Sequence, residues 1–135
     1  MADIKPLILV VDDETHILHV VSLKLRNAGY DVLTAENGEE GFELAVQRVP
    51  DLIITDYQMP FMSGLEMCSR LKADDRTAKV QAVMLTARGF SLPPEALEKT
   101  NIVIVLSKPF SPKEVLAKVQ ELLGERMTSG GVSAS

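Results

Sequence analysis

Short apolar runs alternate with longer stretches of helical periodicity along most of the chain. Leu7-Ile8-Leu9-Val10-Val11, Leu52-Ile53-Ile54, Ala82-Val83-Met84-Leu85 and Ile102-Val103-Ile104-Val105-Leu106 are continuous apolar segments of strand length. A continuous run, unlike an apolar/polar alternation, predicts a parallel strand covered on both faces. Asp31–Ala35 is a weaker strand signal and is expected at a sheet edge. Between these runs, Ile17, Val21 and Leu25 recur at helical spacing. Phe42, Ala45, Val46 and Val49 follow the i, i+3, i+4, i+7 pattern, as do Val115, Leu116, Val119, Leu122 and Leu123.

Local start signals support the helices. Ser111-Pro112 offers an N-cap hydroxyl followed by proline at the first helical position. Ser91 and Pro93-Pro94 suggest a short helix to about Lys99, and Ser63-Gly64 opens one through Leu71. The order is strand–helix repeated five times. It predicts an α/β domain of three layers, a five-stranded parallel sheet doubly wound with helices on both faces and right-handed crossovers.

Composition adds bounds. A chain of 135 residues suits one domain. Its net charge of −5 argues against direct nucleic-acid binding, which needs a basic face. The single cysteine, Cys68, excludes an internal disulfide and a thiolate zinc site, and fits a reducing, cytoplasmic setting. It lies at an apolar helix position and reads as core. His16 and His19 lie three apart on the first helix; a two-histidine metal site lacks further ligands here, so both read as surface residues. No apolar run approaches the ~20 residues of a membrane span. Leu7–Val11 runs straight into Asp12-Asp13-Glu14, too short and too acidic at its flank for a signal peptide. The expected organisation is a domain over residues 1–127 and, over 128–135, a flexible tail or truncated linker rich in Ser and Gly.

In open α/β sheets, ligands bind beyond the carboxyl ends of the strands. Asp12 and Asp13 follow the first run, Thr55 and Asp56 the third, Thr86 the fourth, and Ser107 and Lys108 the fifth. Each has a plainer reading alone: Asp12-Asp13 as a helix cap, Asp56 as a loop carboxylate, Thr86 as a strand end, Lys108 as a solvated lysine. Taken together they bring three carboxylates, a hydroxyl and an ammonium to one rim. Clustered carboxylates repel one another unless a cation neutralises them, and Mg²⁺ suits a few carboxylate oxygens with positions left open. One carboxylate can attack phosphorus to form an aspartyl phosphate while the lysine and the metal neutralise the transferring group. Asp56, alone at the end of the central run, is the best nucleophile candidate.

The elements Val10-Val11-Asp12-Asp13-Glu14, Thr55-Asp56-Tyr57-Gln58-Met59-Pro60, Ser63-Gly64, Leu85-Thr86-Ala87 and Ser107-Lys108-Pro109-Phe110, in this order, resemble receiver domains of two-component response regulators. The resemblance spans residue 5 to about 124. It implies a CheY-like, flavodoxin-like (βα)5 fold and a phosphorelay role. Asp56 matches the phosphoacceptor. Asp13 and Asp56, assisted by Asp12, match the Mg²⁺ ligands, with the Gln58 backbone carbonyl supplying another oxygen. Thr86 matches a hydroxyl that moves toward the phosphoryl group. Lys108 matches the phosphate-binding lysine, and Lys108-Pro109 a bond that is cis in this family. The implied phosphodonor is a sensor histidine kinase or histidine phosphotransfer protein. The implied output is a downstream protein target or fused output domain, reached through the face of the fourth helix, fifth strand and fifth helix. Such a domain is a signalling module that dephosphorylates itself slowly, not a classical enzyme.

The chain departs from the family pattern in places. Val105 stands where an aromatic residue is common, so output is expected through the loop after Thr86 and the fourth helix. Gly89 offers a hinge there and Pro93-Pro94 stiffen the helix entry, while the spacing of Phe90 argues against it as a replacement aromatic. Gln58 and Arg88 occupy positions that tune phosphoryl lifetime in the family. Thr100-Asn101 replaces a small residue before the fifth strand, with Asn101 able to take a left-handed conformation. Two other functions are distinguishable. An aspartyl-nucleophile phosphohydrolase needs a second acid where Gln58 stands. A constitutive interaction domain would keep the site and ignore it.

Overall fold

The computed structural model describes residues 5–87 and 92–129, with side chains described to residue 124. The chain order is β1 (Leu7–Val11), α1 (Thr15–Asn27), β2 (Asp31–Ala35), α2 (Gly38–Arg48), β3 (Leu52–Asp56), α3 (Gly64–Ala73), β4 (Gln81–Thr86), α4 (Pro94–Glu98), β5 (Ile102–Ser107) and α5 (Pro112–Ser129). The strands form one parallel sheet in the order β2-β1-β3-β4-β5. The weak strand β2 lies at an edge, and β3 is central.

Alternate residues of each central strand enter two separate cores. Ile8, Val10, Leu52, Ile54, Val83 and Leu85 face α1 and α5, meeting Leu18, Val21 and Leu25 and Val115, Val119 and Leu123. Leu9, Val11, Ile53, Ala82 and Met84 face the opposite way, against Ala45 of α2 and Met67, Cys68 and Leu71 of α3. Coverage on both sides is why these strands carry no polar alternation. Each large side chain buried this way contributes about 1.5–3 kcal/mol against leaving it in water.

Helix starts use local polar chemistry. The Asn37 side chain accepts from the Glu40 N–H at 2.8 Å and Ser63 Oγ from the Glu66 N–H at 3.1 Å. Ser111 and Glu114 bond reciprocally: Ser111 Oγ takes the Glu114 N–H at 3.2 Å, and the Glu114 carboxylate takes the Ser111 N–H at 2.9 Å. That is a capping box at the predicted start of α5.

The structure corrects three expectations. β5 is the second edge strand, not one covered on both faces: Ile102 is buried, but Val103 and Val105 are exposed. Val49 is not on the α2 stripe; it caps the helix in a left-handed conformation, φ 43°, and is exposed. Asn101 does not take the left-handed turn. The turn into β5 is made by side chains: the Thr100 hydroxyl donates to Leu97 O and accepts the Ile102 N–H, while the Asn101 amide donates to Ala78 O. α5 extends through Ser129. Arg88, Gly89, Phe90, Ser91 and residues 130–135 lie outside the described residues.

Candidate functional site

Register aligns the strand ends. Val11 pairs with Thr55, Asp56 with Leu85, and Thr86 with Ser107. The residues immediately beyond these positions therefore emerge on one rim. Asp12 continues β1, its N–H donating to Ala35 O at 3.1 Å. The Lys108 N–H donates to Thr86 O at 2.8 Å, tying the loop after β5 to the end of β4, and Lys108–Pro109 is cis.

Asp12, Asp13 and Asp56 each offer a carboxylate oxygen, and these oxygens all lie within 4.8 Å of one another. Lys108 Nζ stands 3.0 Å from Asp56 Oδ1. Asp12 and Asp56 are buried and Asp13 is exposed. The helix-cap reading of Asp12 fails, because Glu14 is the N-cap of α1 and no side chain bonds there. Instead Asp12 Oδ1 accepts the Glu14 N–H at 2.9 Å, while its buried Oδ2 has no partner. Thr86 Oγ1 is likewise buried without a partner. A buried polar atom left unpaired costs about 1–3 kcal/mol, so two at one rim mark a place built for something further. Gln58 lines an open cleft beside these groups with Asp13, Tyr57, Met59, Pro60 and Ser63.

Burial pushes the Asp12 carboxyl up to about 7; the Glu14 N–H holds it back and the Asp56 charge adds to the rise. Burial also raises Asp56, opposed by its hydrogen bond to Lys108 and by that lysine's charge. For Lys108, burial works against the ammonium, but Asp56, with Asp12 and Glu14 beyond it, carries its pKa above the ordinary lysine value. An acid held partly in its neutral form by burial among other acids is the expected signature of a cation site. Three hard oxygen donors and one unpaired buried carboxylate oxygen fit a divalent ion such as Mg²⁺.

Residues 8–120 match the response regulator receiver domain family. The chain belongs to that family. As a receiver domain it is a signalling module rather than a classical enzyme. It is 42% identical over 118 residues to the DNA-binding dual master transcriptional regulator RpaA of Synechocystis, covering 87% of this chain and 49% of that one. Among solved structures, chemotaxis response regulator CheY4 of Vibrio cholerae matches with TM-score 0.81 and 31% identity, over 89% of this chain and all of that one. The receiver domain of sensor histidine kinase PA1611 from Pseudomonas aeruginosa, solved with a magnesium ion in its active-site cleft, matches with TM-score 0.79 and 25% identity over 90% of this chain and 99% of that one. The receiver spans about half the length of the curated regulators it matches. No helix among its described residues is long and apolar enough to cross a membrane.

The strand-end residues do converge: Asp12, Asp13, Asp56, Thr86 and Lys108 share one rim. His16 and His19 are exposed on α1, and Cys68 is core, its thiol pushed up to about 12 by burial. Two site residues had no assigned role in the sequence reading. Glu14 reaches Lys108, its Oε1 3.3 Å from Nζ across 94 residues of chain. Gly64 packs on the Asp56 backbone. Both stand inside motifs of the family resemblance, Val10-Val11-Asp12-Asp13-Glu14 and Ser63-Gly64, but spacing alone gives neither a place at the site. Phe61 is also notable: an aromatic at φ 72°, 93% exposed, where the Met62 N–H closes back on Pro60 O at 2.8 Å.

Proposed function

We propose that Asp56 is the phosphoryl acceptor of this receiver domain. In this reading Asp12, Asp13 and Asp56, with the Gln58 backbone carbonyl, hold Mg²⁺. The observation that carries the reading is the Asp56–Lys108 pair, 3.0 Å apart, set among two further carboxylates. The magnesium-bound PA1611 receiver domain supports the choice of ion.

The donor is a phosphohistidine of a sensor histidine kinase or a histidine phosphotransfer protein. An Asp56 carboxylate oxygen forms a bond to phosphorus as the phosphorus–nitrogen bond breaks, and the imidazole leaves with the electron pair. Mg²⁺, when bound, supplies positive charge to the phosphoryl oxygens. Lys108 turns its ammonium from the Asp56 carboxylate toward the same oxygens. The Thr86 hydroxyl donates to one of them and so gains the partner it lacks. The transferred group adds charge and acceptors at a packed rim, and the equilibrium of the Thr86 loop and of the α4, β5 and α5 face shifts with it. Val105 is exposed on that face rather than buried behind Thr86, so contacts of the outer surface replace an aromatic side chain swinging inward. Slow hydrolysis of the acyl phosphate resets the domain. By similarity to RpaA, the output is a fused DNA-binding domain or a separate protein target, working in the cytoplasm.

Incubation with acetyl phosphate and Mg²⁺ tests this. Intact-mass measurement is expected to show the gain of one phosphoryl group, abolished by Asp56→Asn and by chelation. Labelling that survives Asp56→Asn would overturn the assignment.

A further inference from the structure

Lys108 has a second carboxylate on it. Its Nζ lies 3.0 Å from Asp56 Oδ1 and 3.3 Å from Glu14 Oε1. Both ends of the Glu14 backbone are held: its N–H donates to Asp12 Oδ1 at 2.9 Å and its C=O accepts the Leu18 N–H at 3.1 Å. Glu14 is the N-cap residue of α1, where a side chain ordinarily accepts a helix N–H, yet it makes no such bond. Its carboxylate instead crosses to the loop after β5. The backbone of Lys108 is fixed too, through its bond to Thr86 O, so the ammonium moves by its own side chain alone.

We propose that Glu14 is a positioning residue that restrains Lys108 and competes with the phosphoryl group for its ammonium. The inference rests on the reading of Asp56 as phosphoryl acceptor and deepens it by naming a group that sets how readily the site accepts phosphate. The Lys108 ammonium has three N–H donors and no acceptor. In the resting domain two carboxylates draw on them. Once a phosphoryl group arrives, the ammonium turns from the Asp56 carboxylate toward it, and the Glu14 pair is a second contact that it must give up. Glu14 also adds a fourth acid to a rim that receives an anionic group. The Glu14 carboxylate is 60% exposed, so the pair is weak and the restraint is a tuning effect, roughly two- to fivefold in rate, as for exposed ion pairs generally.

Two substitutions separate contact from charge. Glu14→Gln removes the charge. Glu14→Asp keeps it but draws the carboxylate back from Lys108 by one methylene. The initial rate of phosphorylation by acetyl phosphate with saturating Mg²⁺ is expected to rise roughly two- to fivefold in both variants. A rise in Glu14→Gln alone would show that only net charge matters and would overturn the contact. Unchanged or slower rates in both would overturn the competition while leaving Asp56 as acceptor. Failure of the unsubstituted domain to accept phosphate at all would instead remove the reading on which the inference stands, and the inference with it. Glu14 faces solvent, and circular dichroism with a urea midpoint verifies that both variants keep the fold.

Discussion

Gly64, the first residue of α3, lies directly against the backbone carbonyl of Asp56. A Cβ there would overlap the Asp56 oxygen and stand 3.0 Å from Thr55 Oγ1. The contact is fixed on either side, because the Gly64 N–H donates to Tyr57 O at 2.9 Å and the Thr55 hydroxyl donates to Asp56 O at 3.0 Å. Asp56 is thus placed by a helix start that tolerates no side chain. Gly64→Ala is expected to destabilise the domain by about 1–3 kcal/mol, the ordinary range for overpacking. It should also slow Asp56 phosphorylation more than a control such as Gly124→Ala in α5, where a Cβ meets nothing within 4 Å. Urea unfolding and acetyl phosphate labelling measure the two effects.

Asp12 gives the ion-free domain a pH dependence of definite sign. Burial raises its pKa from 3.8 to about 7. Between those values the folded chain holds a proton that the unfolded chain releases, so stability falls as pH rises from about 4 to about 7. Each pKa unit is worth about 1.4 kcal/mol, which caps the loss at about 4 kcal/mol. Asp56, also raised by burial, adds in the same direction. Stabilisation by Mg²⁺ should grow over the same interval, because ligands bind the ion deprotonated. Urea midpoints at pH 5 and pH 8, with and without Mg²⁺, provide the check; Asp12→Asn should flatten the ion-free profile and weaken the Mg²⁺ response.

The unpaired Thr86 hydroxyl predicts a trade of function against stability. Thr86→Val keeps the shape and removes a buried polar atom that has no partner. Stability of the unphosphorylated domain is expected to rise by about 1 kcal/mol, while the change that phosphorylation produces in the Thr86 loop is lost. Chemical denaturation reads the first effect. Hydrogen exchange with and without acetyl phosphate reads the second.

Val49 is a stability defect remote from this chemistry. It is β-branched, holds φ at 43° and leaves its side chain exposed, so it has the steric cost of a left-handed residue with little burial in return. Val49→Gly should stabilise the domain by about 1 kcal/mol, the lost strain outweighing the added freedom of the unfolded chain. The thermal midpoint should rise with Asp56 labelling unchanged.

How far the sequence discloses this molecule depends on what each residue type reports. Leu7–Val11 and Leu52–Ile54 could be read as strands covered on both faces because both faces are in fact covered. Ile102–Leu106 carries the same apolar signal, yet Val103 and Val105 are exposed; a run of apolar residues reports strand propensity, and only the strand order reports an edge. Helical periodicity continued through Val49 because spacing is blind to the residue at which the backbone turns left-handed. Asp12, Asp13, Asp56, Thr86 and Lys108 were legible because strand ends in parallel sheets share a rim. The Glu14–Lys108 pair was not, since nothing local marks which of several acids will reach across 94 residues.

The flush strand ends have a thermodynamic corollary. The groups that converge on Asp56 come from four strands, joined only by pairings between segments far apart in the chain. Such a constellation cannot assemble or dissolve piecemeal; it exists when the whole sheet exists. Ligation at this rim therefore protects the central strands as one cooperative block, and the slowest-exchanging amides of β1, β3 and β4 should report its occupancy as faithfully as the acids themselves.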